Sequence, residues 1–344
     1  MSQTTHQPTW ALAMYSIAGA IPFAGLMVNG QVLALTALKP WARTQGLFLS
    51  GCDTLHHCLQ HWTHNLPTIE TAATLVLESG WSALGDDLPV VDERLLKVNA
   101  PIPNPAQFFC SGANYRQHVI DLVVDQRRDP EWVHLDDDAI RVQAKAFVDK
   151  RAEGTPYIFT GVSSAITGPY DTVAVSGLED QPDWELELAV VIGQPAFKLT
   201  LENAMDAVAG YTIVNDITNR NLTHRPDLHA IGSDWLMGKC QPGYSPMGPY
   251  LVPACEVANP HDLSIQLRLN NELMQDESSA DMIFNIPQLL VYLTSRVQLY
   301  PGDVLITGSP AGNGSHYKRF LKAGDVIEST ISGLGSQRNE CVGG

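Results

Sequence analysis

The stretch Gln181–Gln194, QPDWELELAVVIGQ, limits the fold of this 344-residue chain more than any other. From Trp184 onward it is apolar except for Glu185 and Glu187, two residues apart. Strand side chains alternate faces with a period of two, so both carboxylates project from one face. That face continues as Ala189 and Val191, while Leu186, Leu188 and Val190 line the other. A run apolar on both faces reads as a strand covered on both sides. Two like charges side by side in such a place repel and resist desolvation, so they call for a compensating charge. A small, hard divalent cation, Mg2+ or Mn2+, is the simplest one: it prefers oxygen ligands, and no His–Cys cluster lies nearby to suggest zinc. A third oxygen is offered by GYTIVNDITNRN, where Asp216 follows the apolar run Tyr211–Val214. The competing reading is an edge strand whose glutamates stand in water.

Around this strand the chain divides. Residues 1–98 mix short strands with a helical stretch, CDTLHHCLQHWTHNLPTIETAATLVLESG, and predict a small N-terminal α/β domain. The proline-rich NAPIPNPAQFF connects it to a larger unit, residues 99–344. There CSGANYRQHVIDLVVDQ passes from a turn into a helical pattern, and the most charged stretch of the chain follows as an exposed helical excursion. From Thr155 strands dominate, punctuated by GPYD, YPGD and KAGD, with Pro301–Gly302 suited to the inner positions of a type II turn. The fold class is α+β and rich in β-structure. A nucleotide-binding βαβ unit is disfavoured, since neither GxGxxG nor GxxxxGK[ST] occurs.

Charge and cysteine usage narrow the partners. A net charge of −16 with no basic block excludes nucleic acid. Only 17% of residues are charged, against about 25% in average domains, which implies a large buried area. Six cysteines without a CxxC pair read as reduced thiols of an intracellular protein. The apolar N-terminal stretch is interrupted by Pro22, Asn29 and Gln31 and lacks a basic leader, so short strands with a hairpin at Asn29–Gly30 fit better than a membrane span. The expected location is the cytosol.

Three further groups draw attention. His57, His61 and His64 stand at i, i+4 and i+7 near Cys58, but without HExxH they read as a polar helix face. His118 precedes Asp121 by three residues, so a helix brings both to one side, where a carboxylate raises the basicity of an imidazole and suits it to general-base work. Lys239 is a single cation in the apolar, glycine-rich LMGKCQPGYSPMGP, placed to clamp an anionic substrate.

Seven segments taken in order, GANYRQH, SSAITGPYD, DWELELAVVIG, GYTIVNDITNRN, GKCQPGYSPMGP, LYPGDVLITGSPAGNG and FLKAGDVIESTISGLG, resemble the fumarylacetoacetate hydrolase superfamily from Phe109 to Val342. The resemblance implies a mixed β-roll behind the smaller N-terminal domain, assembled as a homodimer. It implies Glu185, Glu187 and Asp216 as ligands of Mg2+ or Mn2+, and His118 with Asp121 as a water-activating dyad on a lid of residues 115–154. It further implies Lys239 as the clamp and Tyr115, Arg220 and Thr307 as substrate contacts. Departures from the family pattern fall on Asp121, Gly161, Asn221, Thr223, Gly243 and Ser309. The implied reaction is hydrolysis of a C–C bond in a small dicarbonyl or 2-oxo acid substrate such as an acylpyruvate. Decarboxylation, enol–keto isomerisation and sugar-acid dehydration use the same metal–enolate scaffold, and a non-catalytic ligand-binding protein is the remaining class.

Overall fold

In the computed structural model, which describes residues 7–17, 20–126, 132, 134–175, 180–227 and 231–344, the glutamate-bearing run forms the strand Leu186–Ile192, buried along its whole length. It lies inside a six-stranded sheet, in the order Val252–Pro253, Val208–Asn215, Leu186–Ile192, Val304–Ile306, Phe108–Gly112, Tyr157–Thr160. Both glutamates therefore face the interior, and the edge-strand reading falls. Neighbours pair antiparallel except Val304–Ile306 with Phe108–Gly112, which run parallel.

The run is apolar on both faces because two different layers cover it. Leu186, Leu188 and Val190 pack into a core shared with Ile265, Leu267 and Ile327 of a five-stranded sheet. Ala189 and Val191 join a second core with Leu26, Leu55, Trp62 and Ile69 from the N-terminal layer. Truncating a buried leucine of this kind to alanine costs about 2–5 kcal/mol.

The N-terminal layer is a five-stranded sheet running from Trp10 to Asn99, with helices against it. Its apolar opening resolves into the hairpin Phe23–Val28 and Gln31–Ala34, and Asn29 and Gly30 take φ of 50° and 76°, as a two-residue type I′ turn requires. No helix among the described residues is long and apolar enough to cross a membrane. The helical stretch after Cys52 is broken into Leu55–Leu59 and Trp62–Ser79. Asn65 explains the break: its side-chain amide donates to Ser50 O (2.7 Å) and Cys58 O (2.9 Å), taking a carbonyl that a continuous helix would use. The three histidines consequently do not gather on one face, and His57 stands apart from the other two. His57 pairs with Asp53 at 2.8 Å, and the rings of His61 and His64 lie edge-on to Phe48. All six cysteines are free.

Two features carry the chain to the site. The turn Tyr300–Asp303 closes by Asp303 N–H donating to Tyr300 O at 3.0 Å, with Gly302 at φ 91°, and launches Val304–Ile306. The charged excursion forms two packed helices, Arg116–Gln126 and Asp137–Ala152, the second capped by Asp136 and turning Ile140, Ala144 and Val148 inward. Residues 127–131 and 133 of the expected lid lie outside the described residues.

Candidate metal centre

Local pairing assembles the acidic triad. Glu187 sits in its strand opposite Val214. Glu185, one residue before the strand, donates its N–H to Asn215 Oδ1 (3.0 Å) and accepts at its carbonyl from Asp216 N–H (2.8 Å). The ends of two paired strands thus converge, and Glu185, Glu187 and Asp216 each bring a carboxylate oxygen within 4.8 Å of the others. All three are buried, at 7%, 2% and 3% exposure. The partners differ. Lys239 Nζ donates to Glu185 Oε2 (2.6 Å), Asp216 Oδ2 (2.5 Å) and Thr218 Oγ1 (2.7 Å). Arg220 donates to Glu185 Oε1 (2.6 Å) and to Asp183 Oδ2 (2.8 Å). Glu187 accepts from Gly308 N–H at 2.6 Å. Gly308 has to be glycine, since its φ is 100° and an added Cβ would stand 2.9 Å from Asn114 Cβ.

The charges do not balance within the protein. Burial pushes the Glu185 carboxyl up, but the Lys239 ammonium and Arg220 guanidinium outweigh it and hold the group well below the usual carboxylate range. Glu187 hydrogen-bonds neither cation, and burial with Asp216 nearby outweighs the pull of Lys239 and drives it well above that range. Burial also raises Asp216, against the pull of Lys239. Burial disfavours the Lys239 ammonium, yet Asp216, Glu185 and Glu187 raise its pKa above the ordinary value. One ammonium, and a guanidinium shared with Asp183, cannot neutralise three buried carboxylates. The all-oxygen donor set and the uncompensated Glu187 fit a hard divalent cation. Among the described residues no other group of three acidic, histidine or cysteine side chains offers such a cluster.

The triad opens on a cavity of about 70 Å³, walled also by Ser111, His118, Phe159, Trp235 and Ser309. His118, 8% exposed, projects from the helix Arg116–Gln126, and burial lowers its pKa to about 4, so its imidazole is neutral near pH 7. The rings of Phe159 and Trp235 stack at 5.2 Å and both lie within 6 Å of Lys239 Nζ, which excludes water from the ammonium. A second, larger cavity of about 370 Å³ adjoins the first and shares Leu122, Arg220 and Trp235 with it.

The residues singled out from the sequence are thus distributed unevenly. Glu185, Glu187, Asp216, Lys239, Arg220 and His118 surround one cavity. Asp121 does not hydrogen-bond His118. Its carboxylate accepts from Arg141 Nη1 (2.7 Å) and Gln117 Nε2 (2.9 Å), because the second helix delivers a permanent cation that a neutral imidazole cannot match. Tyr115 and Thr307 are fully buried and lie outside the cavity wall, and the Thr307 hydroxyl donates to Leu188 O at 3.0 Å. Two of the departures have local reasons. Gly243 takes φ 83°, which strains any other residue, and a Cβ on Gly161 would strike the Phe108 ring at 2.8 Å. Ser111, Phe159 and Trp235 escaped the sequence reading because none stands in a periodic or paired pattern, whereas Asp183, also missed, continues the two-residue period of Glu185 and Glu187 and could have been found from it.

Comparison with known proteins agrees with this geometry. The family model described as "Fumarylacetoacetate (FAA) hydrolase C-terminal" matches residues 107–342. "Oxaloacetate tautomerase FAHD2B, mitochondrial" of Bos taurus is 33% identical over 285 residues, covering 80% of this chain and 81% of the relative. A 2,4-didehydro-3-deoxy-L-rhamnonate hydrolase of Sphingomonas sp. (strain SKA58) is 40% identical over 189 residues, 54% of this chain and 64% of the relative. The crystal structure of maleylpyruvate hydrolase from Sphingobium sp. SYK-6, solved with manganese(II) and pyruvate, superposes with a TM-score of 0.67 at 20% identity, covering 97% of this chain and 99% of that one. The mixed, β-rich fold is that of these neighbours.

Proposed function

Because the chain belongs to the fumarylacetoacetate hydrolase family, we propose that it is a divalent-metal enzyme that forms and reprotonates the enolate of a small 2-oxo acid, tautomerising an oxaloacetate-like substrate. One observation carries the reading: a neutral, buried His118 faces the acidic triad while Asp121 is held by Arg141. Keto–enol exchange needs a base that takes a proton from the carbon beside the carbonyl and a route for a proton to the carbonyl oxygen. It needs no positioned water. Neutral His118 serves as that base, and the proton it takes from carbon is handed from the same ring to the enolate oxygen to give the enol, the reverse transfer restoring the keto form. Glu185, Glu187 and Asp216 would hold Mg2+ or Mn2+, which when bound polarises the substrate carbonyl as a Lewis acid. Lys239 adds a fixed positive charge where enolate charge develops, and the Phe159–Trp235 pair keeps the site dry.

A second reading, C–C hydrolysis of an acylpyruvate, draws support from the larger adjoining cavity, which has room for an acyl tail. There water would add to the acyl carbonyl and yield its proton to His118. The C–C bond would break with its electron pair leaving as the enolate, which is then protonated at carbon. Cytosolic residence and a homodimer complete the proposal and are checked by fractionation and light scattering.

The test is the purified protein with Mn2+ or with chelator, given oxaloacetate and then an acylpyruvate. We expect metal-dependent acceleration of the decay of the oxaloacetate enol absorbance, reduced roughly 10²–10⁴-fold by His118→Ala. Loss of the acylpyruvate diketone band without action on oxaloacetate would establish the second reading instead. Inertness toward both would leave a binding protein.

A further inference from the structure

Asp183 is fully buried, yet it belongs neither to the acidic triad nor to the wall of its cavity. Its carboxylate is nevertheless fully engaged. Oδ1 accepts from Gly314 N–H (2.5 Å), and Oδ2 accepts from Ser315 N–H (3.0 Å) and Arg220 Nε (2.8 Å). The chain at Gly314 comes close enough only because the residue is glycine: a Cβ there would crowd Asp183 Oδ1 at 2.7 Å and strike Arg319 O. An amide could not replace the carboxylate, since its NH2 would face at least one of these donors. The position therefore calls for a charged acceptor, which capping a short turn alone does not.

The guanidinium links this carboxylate to the metal centre. Arg220 Nη2 donates to Glu185 Oε1 at 2.6 Å while Nε holds Asp183, so adjacent donors of one rigid plane fix the cation between the two acids. The backbone is anchored as well, with Arg220 N–H donating to Gln181 O (3.0 Å) beside the pairing of Pro182–Asp183 with Thr218–Asn219. Charge gives the arrangement its sense. With every carboxylate ionised, Asp183, Glu185, Glu187 and Asp216 oppose the Lys239 ammonium and the Arg220 guanidinium. Two negative charges remain, which one divalent cation balances. Without Asp183 a single charge would remain, and the whole of the Arg220 charge would bear on Glu185.

We propose that Asp183 is a positioning residue of the metal centre: it seats Arg220 on Glu185 and offsets the guanidinium charge, leaving the centre the double negative charge that a divalent cation takes up. The inference rests on the metal reading above. Partners behind the ligands orient the groups that meet a metal, and losing one weakens metal binding roughly 10–100-fold. Because Asp183 acts through Arg220, removing the guanidinium as well should repair its loss.

The test is Mn2+ titration calorimetry on wild type, Asp183→Asn and the double variant Asp183→Asn with Arg220→Met, with metal-free melting to show that each folds. Asp183→Asn should bind Mn2+ roughly 10–100-fold more weakly than wild type. In the double variant three carboxylates face Lys239 alone, the double negative charge returns, and Mn2+ should bind within about threefold of wild type. Wild-type affinity in Asp183→Asn overturns the role. A double variant that binds no better than Asp183→Asn makes Asp183 a support of the turn only and also overturns it. Should Asp183→Asn fail to fold, the double variant decides: affinity within about threefold of wild type upholds the role, and a tenfold or greater loss overturns it. Failure of both variants to fold makes Asp183 structural and overturns it as well. Wild type that binds no Mn2+ overturns the metal reading itself, and this inference with it.

Discussion

Glu187→Gln isolates the role of the triad. The substitution preserves length and leaves a carbonyl oxygen to accept from Gly308 N–H, now at 2.6 Å from the carboxylate, while removing one of three metal-binding charges. Burial and Asp216 already push the Glu187 carboxyl toward its neutral form, so glutamine resembles the acid as it stands without metal. The metal-free midpoint should therefore change by less than about 2 °C. Metal should separate the two proteins. A ligand at 100 times its Kd that binds only the folded state adds about 2.7 kcal/mol. Unfolding entropy of about 2.1 cal/mol/K per residue over 344 residues is about 0.7 kcal/mol/K, so wild type should melt about 4 °C higher. At the same Mn2+ concentration the variant should gain less than about 1 °C in a dye-based melting scan. An equal rise in both proteins would refute the triad as the metal site, and no rise in wild type at any concentration would refute metal binding itself.

Other outcomes follow from neighbouring residues. His118 has a folded pKa of about 4, below the ordinary 6.5, so as pH falls through that window the unfolded state takes up the proton first. Up to about 3 kcal/mol of stability should be lost between pH 6.5 and 4, and His118→Phe should lose correspondingly less in urea titrations at pH 7 and 4.5. Asp121→Asn loosens the bond to Arg141; if the proposed oxaloacetate tautomerisation holds, its kcat should stay within about threefold, since His118 is not held by Asp121. A drop of 10²-fold or more, with a shifted pH–rate profile, would return Asp121 to the chemistry. Gly308→Ala forces a Cβ against Asn114 at a left-handed φ, and a loss of roughly 1–3 kcal/mol in denaturant unfolding is expected.

The parts of the site legible in the sequence are those that backbone periodicity encodes. Glu185 and Glu187 stand out because an alternating strand between two apolar layers has no ordinary use for paired carboxylates, and Asp216 because it ends the neighbouring strand. The Asn29–Gly30 turn was readable for the same reason: both of its residues tolerate positive φ. Contacts that depend on a second element coming alongside were not readable. Nothing in the spacing of His118 and Asp121 discloses that Arg141, twenty residues on, takes the aspartate. Nothing in CDTLHHCLQHWTHN discloses that Asn65 reaches back to break the helix.

The same division separates metal binding from reaction type. The triad is built on adjacent strands of a buried sheet, cross-linked by Asp216 N–H to Glu185 O and by Gly308 N–H to Glu187, so its geometry is as rigid as the core. The groups that decide what happens to a bound enolate stand on different supports. His118 rides on a helix joined to its partner by Arg141–Asp121 and Arg116–Asp149, and to the body by Gln117 N–H on Asp281 and by His316 on Asp125. These are mostly exposed pairs, each worth about 1 kcal/mol or less. Val119 and Ile120 seat the helix body in the core, so exchanging a few of these surface pairs leaves the helix and the metal site in place while re-aiming its polar side chains, or releasing Asp121 to His118, at little cost to stability. One rigid acidic cradle can therefore serve tautomerisation or C–C hydrolysis according to how the polar contacts of one helix pair present one imidazole.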